Sequence, residues 1–308
     1  MRISIVMTTY NGENYILEQL NSLYNQNRKP DEVLIFDDGS TDSTVSVINR
    51  FITENKCDNW KLTINGKNKG WRKNFMVGIW NASGDLIFPC DQDDIWHADK
   101  LEKMEQIMIN NQEISVLVSN CKNFYEDGST KIMPKRNDGK LEKVEIKKNC
   151  MTVDYPGCTY CIRRQLAQLS KKYYSKEYAH DDFIWRLGLF SGSLYSINED
   201  LIDYRRHKDS TYSIEVVGMK TIAEKKKWLS MTESCVEDLS RFVVEQNFNN
   251  KNEALQMLEK VKLWVIQRTK LYNSQSIWQA IRMIKYINYY QRKRQYLGDW
   301  YIIFFNRK

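Results

Sequence analysis

Four prolines and three histidines are all that the 308 residues contain, and no proline follows Pro156. So few histidines, and a single Cys-x-x-Cys (Cys158, Cys161) without a second pair, exclude a structural zinc framework. The 7 cysteines are an odd number scattered from Cys57 to Cys235, which argues for free thiols in a reducing compartment rather than a disulfide scaffold. Long apolar runs are missing as well. Residues 300–305 fall far below the roughly 20 that a membrane span needs, and residues 3–7 are too short for a signal peptide and have no cleavage pattern behind them. A cytoplasmic protein is expected. No glycine-rich loop bearing Lys or Arg follows the first apolar run, which weighs against a sugar nucleotidyltransferase working on triphosphates.

Acids are scarce at one end. Residues 216–308 hold 17 Lys and Arg against 8 Asp and Glu, whereas residues 1–215 hold 29 against 31, so the whole net charge of +7 comes from the last third. Such asymmetry marks a separate region with an anionic partner. The remainder has ordinary globular composition, 42% hydrophobic and 28% charged, and enough length for one large α/β domain plus an appendage.

What is present is an alternation of strand, polar loop and helix. Residues 3–7 read as a buried strand ending in Thr8-Thr9-Tyr10-Asn11-Gly12, and a helical pattern follows through Tyr15, Leu17, Leu20, Leu23 and Tyr24. Residues 32–36 run into Asp37-Asp38-Gly39-Ser40-Thr41-Asp42, where Gly39 suits a tight turn and Ser40 or Asp42 can cap a helix from about Thr44. Residues 60–64 lead into a basic loop, Asn65-Gly66-Lys67-Asn68-Lys69-Gly70-Trp71-Arg72-Lys73-Asn74, which either holds phosphate oxygens at a helix start or is merely solvated. Residues 86–90 end in Asp91-Gln92-Asp93-Asp94, with a helix from about Ala98. Carboxylates so close repel one another unless a cation or ligand donors intervene, and hard oxygen ligands suit Mg²⁺ or Mn²⁺. The alternative is a solvated acidic turn in which Asp94 or Asp99 caps the next helix.

Four such repeats predict a largely parallel sheet with helices on both faces, and right-handed crossovers bring every polar loop to one edge. Beyond them, residues 114–119 read as a strand and Asp127-Gly128 as the turn of a hairpin. Residues 131–148 read as a polar excursion, either a mobile loop beside the site or an ordinary surface loop. Residues 193–197 and 201–204 read as two short strands.

The order and spacing of Thr-x-Tyr-Asn, Asp-Asp-Gly-Ser-Thr-Asp, Asn-Lys-Gly with Asn74 four residues on, and Asp-Gln-Asp-Asp-Ile-Trp resemble inverting family 2 glycosyltransferases of the GT-A fold, closest to a bacterial rhamnosyltransferase-like branch. The resemblance covers about residues 1–212. It implies a GT-A catalytic domain at 1–214, with a nucleotide-sugar-binding half at 1–113 and an acceptor-binding half at 114–214. Thr8, Tyr10 and Asp38, with Asp37 as the near alternative, would contact the nucleoside. Gly70, Lys73 and Asn74, together with Asp91 and Gln92, would complete the donor site. Asp93 would bind the metal directly and Asp91 would reach ribose or metal-bound water, while His207 of the Tyr204-Arg205-Arg206-His207 segment would either ligate the metal or stand as a basic residue beside the departing diphosphate. Gly157, Cys158 and Thr159 match the segment beneath the acceptor, and Asp181 matches the general base, with Asp182 as the alternative and helix capping as the bland account of either. His97 has no such context and is expected on the surface.

The last third, residues 215–308, reads as helical. Apolar faces are predicted over residues 228–243 and 254–266, and a third, acid-free helix over residues 276–296 carries Ile277, Ile281, Ile284 and Ile287 among Arg282, Lys285, Arg292, Lys293 and Arg294. With the aromatic run at 300–305 it suggests an anchor on an anionic membrane surface. A helical hairpin that packs on the catalytic domain or forms a homodimer is the competing account, and interleaved aromatics and isoleucines weigh against nucleic acid. The expected activity is metal-dependent transfer of a sugar, L-rhamnose from dTDP-L-rhamnose or a hexose from UDP, to a glycan or polyprenyl-linked acceptor.

Overall fold

The computed structural model describes residues 1–125, 129–132, 136–175, 178–207 and 220–306. Two compact units make up the chain. One comprises Met1–Val144, Tyr155–Gly188 and Ser193–His207; the other comprises Glu145–Asp154, Leu189–Gly192 and the chain after His207. The join expected at 214/215 and the Asp127-Gly128 turn both lie outside the described residues.

The first unit opens with the predicted alternation: β1 (Ile3–Thr9), α1 (Ile16–Tyr24), β2 (Glu32–Asp37), α2 (Thr44–Glu54), β3 (Trp60–Ile64), α3 (Trp71–Asn81) and β4 (Leu86–Cys90). It continues with β5 (Ile95–Trp96), α4 (Lys100–Asn110), β6 (Val116–Tyr125), β7 (Thr130–Ile132), β8 (Leu141–Lys143), β9 (Tyr160–Arg163), α5 (Arg164–Ser170), α6 (His180–Phe190) and β10 (Leu194–Arg206). Among the described residues these strands form one 10-stranded sheet, ordered β3-β2-β1-β4-β9-β6-β10-β5, with β7 on β6 and β8 on β10. Strands β1 to β4 pair in parallel, as do β6 and β10, and β9 runs antiparallel between the two sets. The sheet is mostly parallel and flanked by helices, as expected.

Alternation along β1 shows how both faces are covered. Ile3, Ile5 and Met7 join a cluster with Ile16, Leu20 and Leu23 of α1, Ile48 and Phe51 of α2, and Leu101, Met104 and Met108 of α4. Val6 points the other way, towards α3, where a Cβ on Gly78 would lie 2.4 Å from Val6 Cγ1. Each fully buried aliphatic side chain of this kind stabilises the fold by about 1.5–3 kcal/mol.

The second half of the sheet departs from the sequence reading. The two short strands expected at 193–197 and 201–204 are one, β10, which keeps pairing with β6 across register shifts between Ile197 and Asp203. A polar stretch that looked like a break is therefore absorbed as irregularity within one strand. Part of the polar excursion is ordered against β10 as β8. His97 is half-buried, and its Nε2 lies 3.2 Å from Asp203 Oδ1, joining the end of β5 to β10.

The second unit is helical. Its first long helix, α7 (Ile222–Gln246), begins with a full capping box in which Thr221 and Glu224 exchange hydrogen bonds, and it ends at Asn247 in the left-handed region. The second, α8 (Lys251–Ser274), ends in the same way at Gln275. The continuous third helix expected over 276–296 is not there. Instead α9 (Ile277–Arg282) tightens into a 3-10 stretch (Met283–Tyr289), Tyr290 is extended, and α10 (Arg294–Trp300) starts afresh.

The reason is one buried acid. Asp299 is the single acidic residue after Glu259, and its carboxylate accepts from Arg268 Nε (2.8 Å) and a terminal guanidinium nitrogen (2.7 Å), from Tyr272 Oη (2.6 Å) and from Tyr290 Oη (2.8 Å). Bringing Tyr290 and Asp299 to one point requires the chain to leave the helix between them. Burial alone would favour a neutral guanidine, but Asp299 overrides it and holds Arg268 charged. Stripping one partner leaves the other charge buried alone. Asp299→Ala should therefore cost about 3–5 kcal/mol in chemical denaturation, and an Arg268→Met/Asp299→Leu pair should recover most of that loss.

Candidate active site

Strands β1, β2 and β4 run parallel, registering Thr9 with Asp37 and Met7 with Cys90, so their carboxyl ends share one edge. The loops that leave them are tied to one another. Asp37 is fully buried and accepts from the Thr9 hydroxyl (2.8 Å) and from the backbone N–H groups of Gly39 (3.1 Å) and Ser40 (2.8 Å). Gly39, at φ +85°, makes that turn possible. Asn11 accepts from the Thr41 N–H (2.9 Å), Gly12 N–H donates to Thr44 Oγ1 (2.8 Å), and Ser43 N–H donates to Glu13 (2.9 Å). Asp42, not Ser40, receives the Thr44 N–H at the start of α2 (3.0 Å).

Asp38 performs the matching task for the basic loop. Its carboxylate accepts from Asn65 Nδ2 (3.0 Å), the Lys69 N–H (2.8 Å) and the Gly70 N–H (2.9 Å). Asn74 is buried, takes a hydrogen bond from Asn65 Nδ2 (2.9 Å) and donates to the Phe36 carbonyl (2.9 Å). Lys73 is exposed beside it, Thr8 is half-buried and Tyr10 is exposed. Gln92 uses its amide on the backbone of Tyr10, accepting from the N–H (2.9 Å) and donating to the carbonyl (3.1 Å).

The acids after β4 are close together, Asp94 fully buried and Asp91 and Asp93 half-buried. Asp93 Oδ2 lies 2.7 Å from His207 Nε2, and the His207 ring meets Tyr15 at 4.8 Å between centroids. Asp94 is fully buried and accepts the Arg205 N–H (3.0 Å). One ligand atom each from Asp91, Asp94 and Cys158 lie within 4.8 Å of one another. Burial, then the neighbouring charges of Asp93 and Asp181, push Asp91 up to about 7. Burial likewise raises Asp94 well above its ordinary value. Burial of Asp91 and Asp94 disfavours their charged forms, and such a cluster fits a divalent cation; Asp93 and the His207 ring beside it could add oxygen and nitrogen donors.

Across from them, Gly157, Cys158 and Thr159 form a buried 3-10 turn in which Thr159 Oγ1 donates to the Pro156 carbonyl (2.7 Å). Cys158 thus lies beside the acids, and the Lys100 ammonium is buried against its carbonyl (3.1 Å). Asp181 lies in the first turn of α6 and accepts the Asp182 N–H (2.8 Å); burial raises its pKa. Asp182, half-buried like Asp181, pairs with Arg186 one turn on (3.2 Å).

Arg205 was not singled out by sequence reasoning. Its Nε donates to the Asp93 carbonyl (2.7 Å), a terminal nitrogen pairs with Glu18, and its guanidinium lies over the rings of Tyr15 (5.0 Å) and Phe124 (4.4 Å). It joins the end of β10 to the acidic loop. Its position two residues before His207 is the sole hint in the sequence.

Doubly wound parallel strands with bound polar loops and an acidic cluster at their carboxyl ends define a nucleotide-binding α/β protein of the GT-A type. Residues 4–169 match the model of glycosyl transferase family 2, and the chain belongs to that family. It is 31% identical over 222 residues to a dTDP-rhamnosyl transferase of Shigella flexneri, covering 66% of this chain and 72% of that protein. It is also 38% identical over 109 residues to an uncharacterized glycosyltransferase of Haemophilus influenzae, covering 35% of this chain and only 43% of that relative. In fold it is similar to residues 1–349 of TarS from S. aureus, solved in complex with UDP-GlcNAc, with a TM-score of 0.64 at 19% identity over 93% of this chain and 80% of that one.

Asp38→Asn would turn one carboxylate oxygen into an NH₂ facing a donor, the Gly70 N–H if the remaining oxygen keeps Asn65 and Lys69. Its stability in urea should fall by roughly 1–3 kcal/mol, the cost of leaving a buried donor unsatisfied.

Proposed function

We propose that the protein is a divalent-metal-dependent, inverting glycosyltransferase that moves a sugar from a nucleoside diphosphate to an acceptor hydroxyl. The observation that carries this reading is the meeting of acids after β4 with segments remote in sequence: Asp93 Oδ2 lies 2.7 Å from His207 Nε2, and ligand atoms of Asp91, Asp94 and Cys158 lie within 4.8 Å of one another. Thr8, Tyr10 and Asp38 would hold the nucleoside, and Gly70, Lys73 and Asn74 would hold or frame the diphosphate at the start of α3. Asp93, Asp91 and His207 would hold Mg²⁺ or Mn²⁺, which when bound neutralises charge on the departing diphosphate. Gly157, Cys158 and Thr159 would form the floor beneath the acceptor.

Asp181 is the general base in this reading. Burial raises both Asp181 and Asp182, which favours taking up a proton, but Asp182 is engaged with Arg186. In-line attack on the anomeric carbon from the face opposite the diphosphate then inverts the centre. For the donor, the Shigella relative's name supports a dTDP-rhamnose, and a relative of Escherichia coli named for transfer from UDP-Gal supports a UDP-hexose as the second reading.

The acceptor is read as a glycan or polyprenyl-linked sugar reached from a membrane surface. No helix among the described residues is long and apolar enough to cross a membrane. Yet Ile277, Trp278, Ile281 and Ile284 are exposed, Trp278 at 75%, on a segment whose only charges are the cations Arg282 and Lys285. That pattern suits an anionic lipid surface; self-association through the same residues is the alternative.

Three outcomes are expected. Asp181→Asn should keep the donor-induced rise in Tm and lose transfer by about 10²–10⁴-fold, the usual weight of a general base; normal turnover would remove the assignment. Chelation should abolish transfer, and Mg²⁺ or Mn²⁺ should restore it, measured by release of the nucleoside diphosphate. Trp278→Glu/Ile281→Glu should cut co-sedimentation with anionic vesicles while leaving transfer to a soluble acceptor unchanged; equal sedimentation of variant and parent would refute the membrane reading.

A further inference from the structure

His180, the first residue of α6, takes no part in the chemistry above, yet it lies directly before Asp181 and is 4% exposed. Its ring stacks on Phe75, with centroids 3.9 Å apart and planes at 23°, and meets Trp71 edge-on at 6.0 Å. On its other side is Gly157. A Cβ built there would lie 2.4 Å from His180 Nε2 and 3.0 Å from Asp181 Cβ, so the turn beneath the acceptor passes close over both residues.

Neither ring nitrogen has a hydrogen-bond partner among the described residues. Burial pushes the imidazole down to about 3, so it stays uncharged at any working pH. The ring therefore meets its surroundings through its faces and edges, and what it supplies at this place is shape.

We propose that His180 is a positioning residue: its ring, wedged between Phe75 and the Gly157 turn, seats the start of α6 and so fixes where the Asp181 carboxylate lies. The inference rests on the reading of Asp181 as the base. Phe75 and Trp71 belong to α3, whose first residue follows Gly70 of the basic loop. One wedge thus sets the distance between the side that holds the donor and the group that deprotonates the acceptor. Gly157 belongs to the same device, because any side chain there would displace the ring or Asp181 itself.

The test compares His180→Ala, His180→Phe, Gly157→Ala and the double variant His180→Ala/Gly157→Ala in the full chain, measuring kcat, donor KM and the donor-induced Tm shift. His180→Ala should lower kcat by about 10²-fold at unchanged donor KM, the scale expected for a reacting group displaced by about an ångström. His180→Phe should restore most of the lost rate, because an aromatic of similar volume fills the same slot. Gly157→Ala should lower kcat as well, and the double variant should be far less impaired than the product of the two single effects, since both act on one contact. A His180→Ala enzyme with normal kcat overturns the proposal. So does a His180→Phe enzyme as slow as His180→Ala, which would move the role to the ring nitrogens. Should His180→Ala fail to fold, Gly157→Ala carries the test alone, and an unchanged kcat in that variant overturns the proposal. Asp181→Asn run in parallel separates the two failures. Normal turnover there removes the base assignment, whereas an inactive Asp181→Asn beside a normal His180→Ala removes only the positioning role.

Discussion

Mutual repulsion between buried and half-buried carboxylates is the constraint around which the first unit is arranged. Asp91, Asp93, Asp94 and Asp181 come from the end of β4 and the start of α6, and burial disfavours the charged forms of Asp91, Asp94 and Asp181. Held near one another, they repel. The fold answers with groups that hold them from outside: the Arg205 backbone N–H on Asp94, the His207 ring on Asp93 and the Asp182 amide on Asp181. A site under this tension in the free protein is prepared for positive charge, which is why the electrostatics and the proposed chemistry coincide.

The framework behind the acids was largely legible in the sequence. Short apolar runs ending in Asp37-Asp38 and in Asp91-Gln92-Asp93-Asp94 locate strand ends, and parallel strands admit one edge for them. Less legible was what each polar residue does there. Asp37, Asp38, Asn74 and Gln92 all read as ligand contacts, whereas much of their hydrogen-bonding capacity holds neighbouring loops in place. A sequence shows a donor or an acceptor but not how many of its lone pairs the fold has already used. Arg205 was illegible for another reason: its partners Glu18 and Asp93 lie 187 and 112 residues away.

The helical unit shows the same limit. Periodicity located α7 and α8, because their apolar faces are local patterns. It failed at residues 276–296, where the residues continue to favour a helix and tertiary demand wins. Arg268, Tyr272 and Tyr290 gather on Asp299, and no local rule anticipates that one distant carboxylate will draw a tyrosine out of helical geometry. Short helical pieces are the outcome, and they leave Ile277, Trp278 and Ile281 exposed.

Gln92 carries one more implication. Its amide receives an N–H and gives one to the carbonyl of Tyr10, past Met7 and Cys90 where the pairing of β1 with β4 stops. In effect a side chain imitates a peptide unit and adds a rung to the ladder after the main chain has turned away. The strand edge is thereby braced beyond its last main-chain pair by the one side chain that stands between Asp91 and Asp93.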